Sequence, residues 1–480
     1  MSKARRTWRR SQGALFALVA AISLGLGLLV MAVLLITTAL QSWRLVAMRA
    51  TADAGLSLSL RSLQVSVGEQ QLYFPYVTLA QVSPNSTAEK LGLRQGDALT
   101  HIAGQPVLKI SAIWEVIERA HGGRDLRLPI AWVPNSKQLL GELRAEAIPN
   151  TPGRFRVKIS TLLPGSPLGQ AGLQAGDILL AADDLPITGT RQAWEAIVIA
   201  IQRASGPIAL QVEREGQILT LPFNGQQHGE LTVQRDAWRA LWAFVSSLNE
   251  PRYPEHAGLL SAILGSLYVV LVMAIVAFPL GIGAAIYLEE YASRNALTEM
   301  IQILIANLAG VPSVVYGIIG LEILARAAGL GRSILAGGIS LALLSLPIMI
   351  LAAREALRTV PPWVREAAFS VGATRWQTVR HHVLPYALPG IFTGMILTLS
   401  RAIGEAALLI LLGAFLYVTY VPTSLKDSFT VIPLQIFDWA TKPQEGFTTI
   451  AAAAILVLLG ILLILNSAAI ALRNRFQMRW

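Results

Sequence analysis

Long stretches without a single Asp, Glu, Lys or Arg limit how this chain can fold more than any other feature: residues 11–43, 257–288, 301–321, 333–353 and 447–472. About 20 residues of helix cross roughly 30 Å of hydrocarbon, and each stretch reaches that length. A further apolar run, 386–416, is long enough although it contains Arg401 and Glu405. Hydrocarbon offers no partners to backbone N–H and C=O groups, so such runs must become helices. The expected fold is a polytopic α-helical membrane protein with about six transmembrane helices.

Charge sets the orientation. The 39 Lys plus Arg exceed the 29 Asp plus Glu by 10, and the excess is local. It sits in Lys3, Arg5, Arg6, Arg9 and Arg10, in Arg473, Arg475 and Arg479, and in five Arg between Arg354 and His382 set against Glu355 and Glu366. These patches flank apolar runs, which is the positive-inside pattern and not a nucleic-acid-binding face. Both termini and the loop 354–385 are expected in the cytoplasm, with 44–256 and 417–446 outside. The turn at Glu289, Glu290 and Arg294 should be cytoplasmic, yet it is slightly acidic. The first run also fits a cleavable signal peptide; its apolar core exceeds the usual 7–15 residues, so a retained anchor helix is expected. The chain has no cysteine, hence no disulfide framework and no thiolate chemistry.

The outside region repeats itself at an offset of 80 positions. Pro84, Ser86, Gly92, Leu93, Gly96, Asp97, Leu99, Pro106, Trp114, Glu115 and Ile117 recur as Pro164, Ser166, Gly172, Leu173, Gly176, Asp177, Leu179, Pro186, Trp194, Glu195 and Ile197. Each copy reads as a strand, a turn with a short helix, Gly-Asp leading into a strand, a longer helix and two further strands. For the first copy those last strands are expected near Leu126–Val133 and Gly141–Ala147. The run from Pro84 to Val107 resembles the PDZ domains of bacterial periplasmic proteases. The second copy departs after Gly176-Asp177, with Asp183-Asp184 in place of Ala103-Gly104. The resemblance implies peptide capture by strand addition, with backbone N–H groups on a terminal carboxylate. Tyr73, Phe74, Pro75 and Tyr76 are the one candidate segment for that carboxylate loop; a structural or docking role is the other reading. Beyond the repeats, Trp238, Leu241, Trp242 and Val245 share one helical face. That face suits either a helix in the outer membrane interface or a cap on the outside domain.

The most specific local pattern is Glu366-Ala367-Ala368, three residues, Gly372, nine residues, then His382-Val383-Leu384-Pro385. Small Ala residues allow close approach, Gly372 suits a left-handed helix end, Thr374 and Gln377 form a capping box, and Pro385 marks a break before the next span. Two short helices there make a knob that transmits force from a soluble partner. The pattern resembles the EAA loop of ABC-importer permeases, with His382 where Ile is usual. Arg401 and Glu405, four residues apart, are expected on one helical face at mid-span. An ionisable residue at that depth faces a pathway or a partner charge, and a self-neutralising pair is the alternative.

From about Ala257 onward the chain resembles the PstA-type permease subunit of phosphate ABC importers. The likeness rests on residues 279–292, 305–320, 365–385, 390–410 and 432–447. It implies an ABC importer permease fold carrying an inserted periplasmic α+β tandem PDZ-like region, in the bacterial inner membrane. It places Arg401 and Glu405 on the substrate path, and Glu366, Ala367, Ala368, Gly372, Leu384 and Pro385 at the ATPase contact. Ala406-Ala407-Leu408 replaces the family's usual Thr/Ala-Ala-Pro, and another oxyanion is the alternative cargo. The partners implied are a sister permease forming a heterodimer, two ATP-binding subunits, a periplasmic phosphate-binding protein and membrane lipid. No cofactor is expected on this chain. It lacks G-x-x-x-x-G-K-[ST], so ATP and Mg would be used by the partner. A PDZ-bearing protease finds no H-E-x-x-H or G-x-S-x-G here, which leaves a membrane scaffold as the remaining alternative. The expected organisation is a basic tail (1–12), first span (13–43), two repeats (44–147 and 148–230), an interfacial segment (231–256), a five-helix core (257–472) and a tail (473–480).

Overall fold

The computed structural model describes residues 2–67, 70–120, 123–147, 155–163, 165–204, 206–293, 295–416 and 418–476. Pro164, Arg294 and Arg479, used above, lie outside the described residues. The first helix, α1 (Ser2–Asp53), continues ten residues beyond Trp43, about 15 Å at 1.5 Å per residue. Its side chains are exposed from Leu28 to Trp43, whereas Leu45, Met48 and Ala50 are buried. The exposed part is the surface that lipid would cover; the buried part belongs to the domain that follows.

That domain comprises β1 (Leu56–Val67), β2 (Gln70–Val82), α2 (Thr87–Lys90), β3 (Ala98–Ile102), β4 (Gln105–Pro106), α3 (Ile110–Arg119), β5 (Asp125–Val133), α4 (Ser136–Leu140), β6 (Glu142–Ala147), β7 (Phe155–Thr161), α5 (Pro167–Gln170), β8 (Ile178–Ala182), β9 (Leu185–Pro186), α6 (Thr190–Arg203), β10 (Ile208–Arg214), β11 (Gln217–Phe223) and β12 (Gln227–Gln234). They form two antiparallel sheets of equal design, ordered β1-β2-β3-β5-β12 and β6-β7-β8-β10-β11, with β4 and β9 as short partners of β3 and β8. The repeat extends to individual bonds. Ser86 and Ser166 cap α2 and α5, Gly92 and Gly172 share a positive φ, and Asp97 and Asp177 each accept a backbone N–H three residues earlier. Even Asp183 adopts the positive φ of Ala103.

The two units are nested rather than consecutive. Strand 142–147, expected to close the first repeat, pairs with β7 in the second sheet, and β12 returns to pair with β5. The second unit is thus inserted between the last two strands of the first. Pattern alone could not reveal this, because β6 and β12 present similar alternation and only long-range pairing separates them. Helix α6 is buried between the sheets: Tyr76 Oη donates to Glu195 Oε1 at 2.9 Å and Trp194 Nε1 donates to Pro134 O at 2.8 Å.

The remaining helices are α7 (Ala237–Ser246), α8 (Leu260–Ile286), α9 (Ala296–Leu308), α10 (Ser313–Ile319), α11 (Ile334–Arg358), α12 (Pro362–Ser370), α13 (Arg375–Thr378), α14 (Leu384–Ile403), α15 (Ala407–Leu412), α16 (Ile432–Thr441) and α17 (Phe447–Phe476). Five described helices are long and apolar enough to span, or six if the bent pair counts as one. That pair is α9 and the arm Ser313–Ala327, in which α10 runs on into a π-helical stretch at Gly320–Ala327; the two are bent by 100°, so the run 301–321 is not a straight helix. Gly310 and Pro312 account for the bend: Pro312 has no N–H to continue α9, and its extended backbone starts α10. Close helix packing in the bundle uses missing side chains. A methyl group at Gly338 would stand 2.4 Å from Val272, and one at Gly394 2.6 Å from Ala352.

Chain direction places the sheets at one end of the bundle and α12 at the other. At the sheet end the first repeat is anchored to the bundle. Arg49 donates to Ala257 O, Glu255 accepts from Leu58 N at 2.9 Å, and Ser57 Oγ meets His256 Nε2 at 2.9 Å. Glu445, just before α17, accepts the Ser111 N–H in the first turn of α3 at 3.0 Å. Met48, Leu56, Trp114, Trp439 and Phe447 belong to one buried cluster that joins the two parts.

Candidate functional site

At the far end, α12 and the following turn project from the bundle. Gly372 takes φ +83°, the left-handed conformation expected of it, and Thr374 with Gln377 forms the capping box. Glu366, Ala367 and Gly372 are exposed, Ala368 is buried, and Leu384 and Pro385 are half-buried. Pro385 does not break the chain: it lies in the first turn of α14, which continues from α13 through a π-helical turn at Val379–Val383. The wider turn accommodates the missing N–H. Trp363, Phe369, Val371 and Trp376 stand 64%, 48%, 83% and 56% exposed here. Sequence reading missed these four as a group, although their spacing around the Glu-Ala-Ala run was visible. Four large apolar side chains exposed on one short helix and the segment that follows it are the kind of surface that a partner covers.

Arg401 and Glu405 do not share a helix. Gly404 caps α14, and Glu405 lies in the break before α15, where its carboxylate accepts the Leu408 N–H at 3.2 Å. Among the described residues no ion pair joins them. Arg401 is exposed on α14, seventeen residues beyond Leu384, about 26 Å along the helix. Among the described residues it has no ion-pair partner, and it offers its charge on the surface of the bundle.

In the sheet domain, Tyr73–Tyr76 are not loop residues. They pair with Arg61–Gln64 inside the β1–β2 hairpin, and Tyr76 is fully buried. Tyr76 packs on Trp194 and Phe74 lies under Arg203 of the second repeat, while Tyr73 is exposed, so the segment is a strand at the junction of the repeats and not a loop. A groove of about 400 Å³ lies instead between the repeats, with Leu143 on β6 and Arg191 and Trp194 on α6 on one side, Arg61 on β1, Gly96 and Asn135 on the other, and Ser136–Gly141 along its border. The equivalent position in the first repeat is filled by the chain itself. Arg44 on α1 pairs with Glu115 and Glu118 of α3 at 3.2 and 3.4 Å, and Met48 shares a buried cluster with Ile113, Trp114 and Leu56.

Helix α7 turns its Trp238, Leu241 and Trp242 outward, at 75%, 40% and 65% exposure, while Ala240 and Phe244 are buried. Of the two readings of this face, the cap on the sheet domain does not hold for these three residues, and Val245 on the same face is half-buried. The Leu259 and Leu260 amides donate to the Phe244 and Ser247 carbonyls, which ties α7 to the start of α8.

The sequence profile described as "Binding-protein-dependent transport system inner membrane component" matches residues 277–476, and the PDZ domain profile matches 78–131. The "Probable ABC transporter permease protein YqgI" of Bacillus subtilis is 35% identical over 153 residues, 32% of this chain and 52% of the relative. YqgH of the same organism is 39% identical over 175 residues, 34% of this chain and 55% of the relative, so the chain spans about half the length of these two. "Phosphate transport system permease protein PstA" of Yersinia pestis is 33% identical over 227 residues, 47% of this chain and 76% of the relative. A structure of the MetNI methionine ABC transporter, facing inward, aligns with a TM-score of 0.40 and 17% identity, over 46% of this chain and 96% of that one.

Proposed function

We propose a cargo and a mechanism from one premise: the chain belongs to the family of binding-protein-dependent transport system inner membrane components, the permeases of ABC importers. It is a multi-pass inner-membrane protein of that family with a PDZ domain, and such subunits are not the ATPase. Our reading is that it forms half of the translocation path of a phosphate importer, beside a sister permease. Two ATP-binding subunits would sit under the loops of the two permeases, one of them at Glu366–Gly372, Leu384 and Pro385 of this chain, and use ATP and Mg. A periplasmic binding protein would deliver phosphate from the sheet end. Both termini would be cytoplasmic, with the PDZ-like repeats and α7 on the outside and the aromatic face of α7 against lipid.

The observation that carries the cargo reading is Arg401, a cation with no ion-pair partner among the described residues, on an otherwise largely apolar helix. Such a group is costly in hydrocarbon and is retained where an anion passes. The likeness to phosphate permeases adds support. Glu405 would stand at the break below the cation and repel an anion that lingered there. The test is co-purification from membranes with the ATP-binding subunits, followed by ATP hydrolysis in lipid with loaded binding protein. Stimulation by phosphate-loaded binding protein supports the reading; stimulation by sulfate alone, or by nothing, removes it.

A further inference from the structure

The acidic turn that opposes the charge bias in the sequence is locked to the Arg-rich loop. At the end of α8 the backbone widens into a π-helical turn, Tyr287–Tyr291. Glu289 there meets Arg358 Nε at 3.2 Å and Arg354 Nε at 3.5 Å on α11. Glu290 takes Arg365 of α12 through three contacts: Nε to Oε1 at 3.1 Å, Nε to Oε2 at 3.2 Å and Nη2 to Oε1 at 2.6 Å. The same guanidinium donates to Leu357 O at 3.1 Å, in the last turn of α11, and to Val360 O at 2.9 Å, in the link between α11 and α12. One side chain therefore joins α8, α11 and α12. Both partners are largely shielded, at 22% and 11% side-chain exposure, so solvent screens the pair less than a surface bridge.

We infer that Glu290 and Arg365 form the strut through which movement of α12 reaches α8. Arg365 precedes the Glu-Ala-Ala run by one residue, so it moves with the exposed patch. Helix α8, with 27 residues and about 40 Å long, leads from this pair to the sheet end. There Glu255 and Ala257, just before it, hold the first repeat. A planar fork with fixed donors transmits displacement and rotation together, which a lysine ammonium on a flexible stem does not. Arg365 and Glu290 are positioning residues: they touch no cargo and no nucleotide. The inference rests on α12 being the ATPase contact.

The experiment uses the whole reconstituted complex. Glu290→Gln keeps size and hydrogen bonding but removes the charge. The expected result is normal co-purification of the ATP-binding subunits and normal basal ATP hydrolysis, with phosphate uptake at least tenfold lower. A staple that served folding alone would lower assembly or thermal stability instead. The chain has no native cysteine, so Glu290→Cys with Arg365→Cys can be bridged by a short bis-methanethiosulfonate, each thiolate displacing a methanesulfinate to form a disulfide. Bridging should restore uptake by at least half of what the double variant lost. Wild-type uptake by an assembled Glu290→Gln protein overturns the strut, as does a bridged pair that stays inactive. If Glu290→Gln does not assemble, the bridging arm decides alone. Val371→Asp is the separate control for the premise: if it fails to release the ATP-binding subunits, the docking surface is wrong, whatever Glu290→Gln does.

Discussion

Gly446 is a position in the bundle where a small change would disturb the docking of the sheet domain. It has φ +92°, and a Cβ there would lie 2.6 Å from Trp114 Cη2, 2.9 Å from Pro254 Cγ and 3.0 Å from Met48 Cε. Met48 can yield, but Trp114 is 1% exposed and Pro254 is a rigid ring. Gly446→Ala combines a left-handed penalty of roughly 1–2 kcal/mol with overpacking of about 1–3 kcal/mol. The docked arrangement should weaken by about 2–5 kcal/mol, between roughly thirtyfold and several thousandfold in population at 1.4 kcal/mol per factor of ten. Hydrogen exchange of residues 108–120 reads it, because the Ser111 N–H is held by the neighbouring Glu445. Faster exchange is expected in that segment but not in β8 and β10. Gly460→Ala, where nothing lies within 4 Å of the added methyl, should leave exchange unchanged. Unaltered protection in Gly446→Ala would refute the account of how the domain is anchored.

Docking should also depend on pH. Burial raises the Glu255 carboxyl from 4.5 to about 7, opposed by the Leu58 N–H and Arg49 and helped by Glu250. The docked state therefore holds a proton that the undocked state loses. Docking is strongest below pH 4.5, declines as pH rises toward 7 and is level above that, by about 3 kcal/mol in all. Glu255→Gln should abolish this dependence in the same exchange measurement; a slope that persists assigns it elsewhere, with His256 the neighbouring candidate. Excision of Leu56–Gln234, which removes both sheets with β12, should leave a membrane-inserted bundle. Excision of 57–224 strands β12 without β5 and should give an aggregating protein, as read by gel filtration in detergent. Equal behaviour of the two deletions would contradict the nested topology.

Much of the bundle was legible because hydrocarbon permits so few backbone solutions. The left-handed Gly372 and the Thr374–Gln377 box were legible because caps are decided by neighbours within four residues. What escaped was set by distance in sequence. The partner of β5 lies beyond an entire second unit, and the partner of Glu290 lies 75 residues away on α12. Arg401 and Glu405 illustrate the converse error: spacing of four implies a shared face only if the helix continues, and Gly404 ends it. Tyr73–Tyr76 misled because aromatic residues beside a proline suit a loop as well as a packed hairpin.

Phosphate uptake by the reconstituted complex carrying Arg401→Gln bears most directly on the central claim. With assembly and basal ATP hydrolysis unchanged, the account predicts uptake near background. Uptake at the wild-type rate would contradict it.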